Sequence, residues 1–94
     1  MKRLKKFSKE GQLAAELMSA EAVAEYEKIL IGKMIRKLRK NKKLKQESLA
    51  KLLKTSQSTV ARIESGKQNL SLESLAAIAL ALDSRLDVRF LHKT

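Results

Sequence analysis

The chain of 94 residues contains no cysteine and no proline, and it has only three glycines and three aromatic residues. Without cysteine it forms no disulfide and carries out no thiolate chemistry. Alanine, leucine, lysine and glutamate are its common residues, and together with the absence of proline they favour helices. No run of about 18 apolar residues occurs, so we expect no membrane-spanning segment.

Residues that would support catalysis are equally scarce. His92 is the only histidine, and it stands beside no cluster of acidic residues. No serine has a histidine partner at a usable position, and no glycine-rich phosphate loop occurs. We therefore expect a protein with no enzyme activity, no catalytic residue, no metal site, no cofactor and no small-molecule substrate.

Acidic residues are outnumbered, 10 against 21 lysines and arginines, which gives a formal net charge of +11. Eight basic residues and no acidic one lie between residues 33 and 45, and five more basic residues lie within 1–12. This excess predicts a polyanionic partner, either nucleic acid or, as a second choice, an anionic membrane surface. The plainer alternative is a basic protein whose charge serves only solubility. Glu10 and Glu16 interrupt any signal-peptide core, so we expect a cytoplasmic protein without a membrane partner.

The hydrophobic pattern predicts five helices. The first covers about 12–30, and a second continues toward Asn41 after a joint at Gly32. Three more cover about 46–53, 57–65 and 72–82. Ser56 is a suitable N-cap for the helix at 57–65, and Gly66 is placed to end it, because glycine adopts a left-handed backbone cheaply.

The period changes near the C-terminus, where Leu86, Val88 and Phe90 alternate with polar residues. Such alternation predicts a short β-strand. A single strand leaves its backbone groups unpaired, so we expect it to form an antiparallel ribbon with a second copy and thereby a homodimer. The alternative is a strand that packs flat on its own domain.

Two predicted helices are joined by only three residues, Lys54, Thr55 and Ser56, which describes a helix-turn-helix. Apolar residues fill the angle between these helices, and Ala50 is small where they cross. The outward residues of the second helix are small or polar, which suits a helix end in the DNA major groove. They are Gln57, Ser58, Thr59, Ala61 and Arg62.

The run LKQESLAKLLKTSQSTVARIESGKQNLSLESLAAIALAL resembles the Xre/Cro-repressor-type helix-turn-helix family, and the resemblance covers residues 33–82. It implies a mainly α, lambda-repressor-like domain that binds double-stranded operator DNA, with an N-terminal helix and the short C-terminal strand added. Lys54 stands where the family usually has glycine, and Lys45 replaces the usual serine or threonine cap.

The resemblance also implies individual roles. The base-reading residues would be Gln57, Ser58, Thr59 and Arg62. The phosphate contacts would be Gln46, Lys43, Lys45, Lys67 and Asn69. Arg39 and Glu64 would form a structural ion pair between helices rather than touch DNA.

The layout of the whole chain resembles HigA-type antitoxins, which implies three parts: a basic arm and partner-binding helix at 1–30, the DNA-binding domain at 31–83 and the dimerisation strand at 84–94. By this resemblance the protein neutralises a small RNA-cleaving, RelE-like toxin and represses its own operon as a dimer, which is associated with the nucleoid when it is bound to DNA. The toxin-binding candidates are Leu13, Leu17, Val23, Tyr26 and Leu30. Two alternatives stay open: a stand-alone repressor without a toxin, and an N-terminal helix that only caps its own domain.

Overall fold

The fold is known from a computed structural model, which describes residues 19–92. That part of the chain contains four helices and no strand. Their bounds are α1 Ala20–Asn41, α2 Gln46–Leu52, α3 Gln57–Glu64 and α4 Leu72–Ala81. The mainly α prediction is confirmed, whereas residues 12–18 of the first predicted helix lie outside the described residues.

The five-helix prediction is wrong at Gly32, because α1 continues through this residue without a joint. Gly32 is buried, and a Cβ atom there would lie 2.6 Å from the carbonyl oxygens of both Ile63 and Glu64. The glycine is therefore explained by close packing of α1 against the C-terminal end of α3 rather than by a break in the helix.

The predicted C-terminal strand is also absent, since residues 84–92 are neither helix nor strand. Strand hydrogen bonds need a neighbouring strand, and the rest of the described chain is helix, turn or irregular loop. Of the alternating apolar residues, Leu86 is half-buried, whereas Val88 is 61% and Phe90 98% exposed. The alternation of apolar and polar residues therefore does not produce a strand here, and only one of the three apolar side chains is partly covered.

The helix starts are fixed by serine caps at three of the four helices. Ser19, Ser56 and Ser71 each accept a hydrogen bond from a backbone N–H in the first turn of the helix that follows. Lys45, which precedes α2, makes no such side-chain bond. Helix α2 consequently begins without the stabilisation of about 1 kcal/mol that a serine or threonine cap supplies.

All four helices end in the same way. The residue after each C-cap has a positive φ, and the next N–H bonds to the carbonyl five residues earlier, which is the Schellman arrangement. The residues with positive φ are Lys43, Lys54, Gly66 and Asp83. Only one of them is the glycine that this conformation favours.

The core lies where α2, α3 and α4 meet α1. Leu49 and Val60 are fully buried at the centre of the α2–α3 angle, and Ala50 is buried beside them. The core residues are Ile35, Leu49, Ala50, Val60, Ile63, Ile78 and Leu82. Because α3 packs on both α1 and α2, its opposite face and its N-terminal end are left toward solvent.

Candidate nucleic-acid interface

The exposed face of α3 presents polar side chains to solvent, from its first turn to its last. Gln57, Ser58 and Arg62 are exposed, and the Arg62 guanidinium makes no hydrogen bond or ion pair with other described residues. Thr59 differs from the other predicted base-reading residues, because it is half-buried and its hydroxyl lies 2.9 Å from the Ser56 hydroxyl in the N-cap. The structure therefore brings three of the four predicted residues together on an open surface.

Gln57 is held by a side chain from the neighbouring helix. Its Nε2 donates to Oε1 of Gln46 at 2.6 Å, and Nε2 of Gln46 donates to Oε1 of Glu64 at 3.1 Å. Gln46 is the first residue of α2, and Glu64 is the last of α3. The turn between the two helices is what brings these three residues within reach of one another.

Glu64 in turn is held by Arg39 from α1. The guanidinium donates to both carboxylate oxygens, at 2.6 Å from Nε and 2.9 Å from Nη2, and its Nη1 donates to the carbonyl of Leu44 at 2.8 Å. The side chains of the pair are only 9% and 4% exposed. The pair thus anchors both ends of the helix-turn-helix to α1.

The pair perturbs the pKa of both members. Burial by itself would raise the pKa of Glu64, but hydrogen bonds from Arg39 and Gln46, with the charges of Arg39 and Arg36, outweigh burial and lower it. The hydrogen bond to Glu64 raises the pKa of Arg39 against the opposing effect of burial. Both residues are therefore charged at neutral pH.

The predicted phosphate contacts lie in the segments around α2 and α3. Lys43 and Lys45 are exposed just before α2, and Lys67 is exposed just after α3. Asn69 is also exposed, but its Oδ1 already accepts a hydrogen bond from Lys28 Nζ at 3.1 Å. Its amide nitrogen is the part that remains for a phosphate.

The polar contacts of two lysines were also not predicted from the sequence. Lys28 of α1 bridges Glu25 and Asn69, and Lys42 pairs with Asp83 after α4. The partners are 41 residues apart in both long-range contacts, so no local sequence pattern would have revealed them. The positive charge of Lys42 is therefore paired with the negative charge of Asp83.

The predicted toxin-binding residues do not form one exposed surface in the described part of the chain. Leu13 and Leu17 lie outside the described residues. Val23 is 37% exposed on α1, whereas Tyr26 and Leu30 are half-buried. A groove of about 660 Å³ lies beside this part of α1, lined by its glutamates and by Leu70 and Leu75.

Residues 19–92 were compared with the requirements of a metal site and of a membrane span. They contain no group of three or more histidine, cysteine or acidic side chains placed to hold a metal ion. None of their helices is both long and apolar enough to cross a membrane.

Comparison with known proteins identifies the fold. Residues 35–88 match the model of a family described as helix-turn-helix, HTH_3, which covers more than half of the chain. The chain belongs to this helix-turn-helix family. The match contains α2, α3, α4 and the Arg39–Glu64 pair, and it identifies the protein as a DNA-binding protein of the Xre type.

The chain is also similar to a solved structure, the restriction-modification controller protein C.AhdI from Aeromonas hydrophila. The two share 36% sequence identity with a TM-score of 0.62, over 65% of this chain and 88% of the controller protein. A search of the curated proteins gave no match. The comparisons thus support a helix-turn-helix regulator and give no support to the HigA-type antitoxin prediction.

Proposed function

We propose that this protein is a sequence-specific transcription regulator that reads double-stranded operator DNA with α3. The observation that carries the proposal is the exposed face of α3, where the Gln57 amide in the first turn is held by Gln46 and the Arg62 guanidinium in the last turn is unpaired among the described residues. Glutamine can pair with adenine through two hydrogen bonds, and arginine can do so with guanine. Exposed lysines on both sides of α3 supply charge for the phosphate backbone.

The stand-alone regulator is preferred to the antitoxin. The similar controller protein is named for a regulatory role in restriction-modification, whereas no comparison points to a toxin partner. The antitoxin prediction also needs an apolar surface on α1, and two of its described residues there are half-buried. We accordingly place the protein in the cytoplasm, bound to DNA, as a binding protein without catalytic activity.

A homodimer is part of the proposal. Leu72 and Leu80 of α4 are 66% and 72% exposed, and Phe90 is almost fully exposed. A second copy would cover apolar surface of this kind. Two-fold symmetry would then place two copies of α3 on half-sites about 34 Å, or about 10 base pairs, apart.

Selection of bound duplexes from a random DNA library tests the proposal. We expect a consensus with two inverted half-sites, bound by the wild type with strong salt dependence. Arg62→Ala should weaken binding to this consensus by about 1–3 kcal/mol and relax the preference at one base pair. Arg85→Ala removes the same charge outside α3 and serves as the matched control.

Three outcomes are distinguishable. Failure to enrich any sequence would contradict the proposed function. An enriched single half-site would contradict only the dimer. If Arg62→Ala weakens the affinity for consensus and random DNA equally, Arg62 contacts a phosphate and does not read a base.

A further inference from the structure

The loop that follows α3 lies against the first half of α1. A Cβ atom on Gly66 would lie 2.9 Å from both Cα and Cγ1 of Ile29, so the two backbones approach each other closely at this point. Further along the loop, Oδ1 of Asn69 accepts a hydrogen bond from Nζ of Lys28 at 3.1 Å. Two successive residues of α1 therefore hold the two ends of the segment 66–69.

This half of α1, residues 20–30, precedes the part of the chain that matches the helix-turn-helix family, which begins at residue 35. The segment 66–69 contains Lys67 and Asn69, two of the predicted phosphate contacts, and both are exposed. The segment also follows directly on α3, the helix proposed to read the bases. The first half of α1 thus supports a loop that would face the DNA backbone.

The hydrogen bond between Lys28 and Asn69 lies at the groove of about 660 Å³ beside α1. Lys28 and Ile31 line this groove from the helix, whereas Asn69 and Leu70 line it from the loop. A side chain that borders open space lacks close-packed neighbours on that side, so packing alone does not fix its rotation. Among the described residues, Lys28 is the one that makes a side-chain hydrogen bond with Asn69.

The chemistry of lysine determines which end of the Asn69 amide faces outward. An ammonium group only donates hydrogen bonds, so Lys28 must bind the carbonyl oxygen of the amide. Lys28 is itself held in place, because it pairs with Glu25 and its side chain is only 20% exposed. The NH₂ group of Asn69 keeps both of its N–H donors, and these are what a phosphate oxygen can accept.

We propose that Lys28 is a positioning residue, which turns the NH₂ group of Asn69 toward a DNA phosphate without touching the DNA itself. An amide that rotates freely presents its carbonyl oxygen to the phosphate for part of the time, and two acceptors form no hydrogen bond. The gain in affinity is the same for every sequence, since contacts to the backbone carry no sequence information. The inference rests on the proposed function and gives the first half of α1 a part in it.

A double-mutant cycle with the full chain tests the inference. Affinity is measured for the selected duplex and for a scrambled duplex, with wild type, Lys28→Met, Asn69→Ala and the double variant. Each single variant should weaken binding to both duplexes by about 2- to 10-fold, the range of a typical hydrogen bond. Because Lys28 acts through Asn69, the double variant should bind about as well as Asn69→Ala.

Lys33→Met is the matched control, because it removes the same charge from an exposed lysine of the same helix. It measures the effect of lost charge alone, which should stay within about twofold at physiological salt. Circular dichroism at the assay temperature verifies that every variant is folded.

The salt dependence of binding separates positioning from direct contact. A lysine that binds a phosphate contributes about 0.9 to the slope of log affinity against log salt concentration. Lys28→Met should therefore keep the wild-type slope.

Three results would overturn the inference: losses that multiply in the double variant, a slope reduced by about 0.9 in Lys28→Met, or an affinity of Lys28→Met equal to that of Lys33→Met. Each of them leaves the proposed function intact. Absence of any preferred site in the wild type would overturn the proposed function instead.

Discussion

Replacing one member of the Arg39–Glu64 pair should destabilise the protein more than replacing both. In Glu64→Leu the guanidinium keeps only its bond to the Leu44 carbonyl, and its Nε and Nη2 lose their partners in a site where the arginine side chain is 9% exposed. In Arg39→Met the carboxylate, 4% exposed, keeps only Gln46. A buried charge left in this way costs about 3–5 kcal/mol.

This cost is large beside the free energy of unfolding of a small domain, about 5–15 kcal/mol. In the double variant Arg39→Met/Glu64→Leu no unpaired charge remains, and apolar side chains of similar size occupy the site. Such replacements are often neutral or stabilising. We therefore expect the double variant to be more stable than either single variant.

Urea unfolding followed by circular dichroism measures these free energies, with similar m-values required for comparison. Asp87→Ala breaks an exposed pair with Arg89, with side chains 47% and 58% exposed, and is the matched control. Surface pairs contribute about 0–1 kcal/mol, so this variant should remain close to wild type. Additive losses in the double variant would refute the reasoning, because they would show that Arg39 and Glu64 do not depend on each other.

The same pair should make stability dependent on acid. The folded-state pKa of Glu64 is lowered, so its contribution is complete above its unfolded pKa of about 4.3 and is lost as the pH falls through the folded value. The raised pKa of Arg39 changes nothing in this range, since its contribution is complete below its unfolded value. Glu64→Gln should show a shallower loss of stability below about pH 4.3.

Two further predictions concern the backbone. Gly32→Ala should destabilise the fold, because the new methyl group meets two carbonyl oxygens of α3. The cost of overpacking, about 1–3 kcal/mol, exceeds the gain in helix propensity of about 1 kcal/mol. An unchanged or raised urea midpoint would contradict this prediction. Lys54→Gly should stabilise by at most about 1 kcal/mol, since Lys54 has φ 56 in a conformation that glycine adopts without strain. A lower thermal midpoint for Lys54→Gly would show that the lysine side chain contributes more than the strain it causes.

The sequence was sufficient to predict the helix-turn-helix because its signals are local. The turn at 54–56, the Ser56 cap and the spacing of Leu49, Ala50, Val60 and Ile63 lie within about 20 residues, and the structure has a helix on each side of the turn. Helical periodicity and capping act at this range. The Arg39–Glu64 pair followed from family resemblance and not from periodicity.

Long-range packing explains what could not be predicted. The sequence pattern predicts a joint at Gly32, because a glycine within a helical pattern commonly weakens the helix. In the structure the glycine instead allows close packing against the end of a helix some 30 residues later. The strand at Leu86, Val88 and Phe90 was predicted from alternation alone, which does not supply the partner that a strand requires. The series of hydrogen bonds from Gln57 to Arg39 joins three helices, so it became visible only when the fold was known.

The most direct test of the central claim is the ratio of the affinities of the full chain for its selected site and for a scrambled duplex of equal length. The ratio should be measured at physiological salt for wild type and for Gln57→Ala/Arg62→Ala. We predict a wild-type ratio of at least about 10³ and a loss of most of it in the variant, with affinity for scrambled DNA changed far less. A wild-type ratio near one, or a ratio unaffected by the double substitution, would contradict the claim that α3 reads DNA sequence.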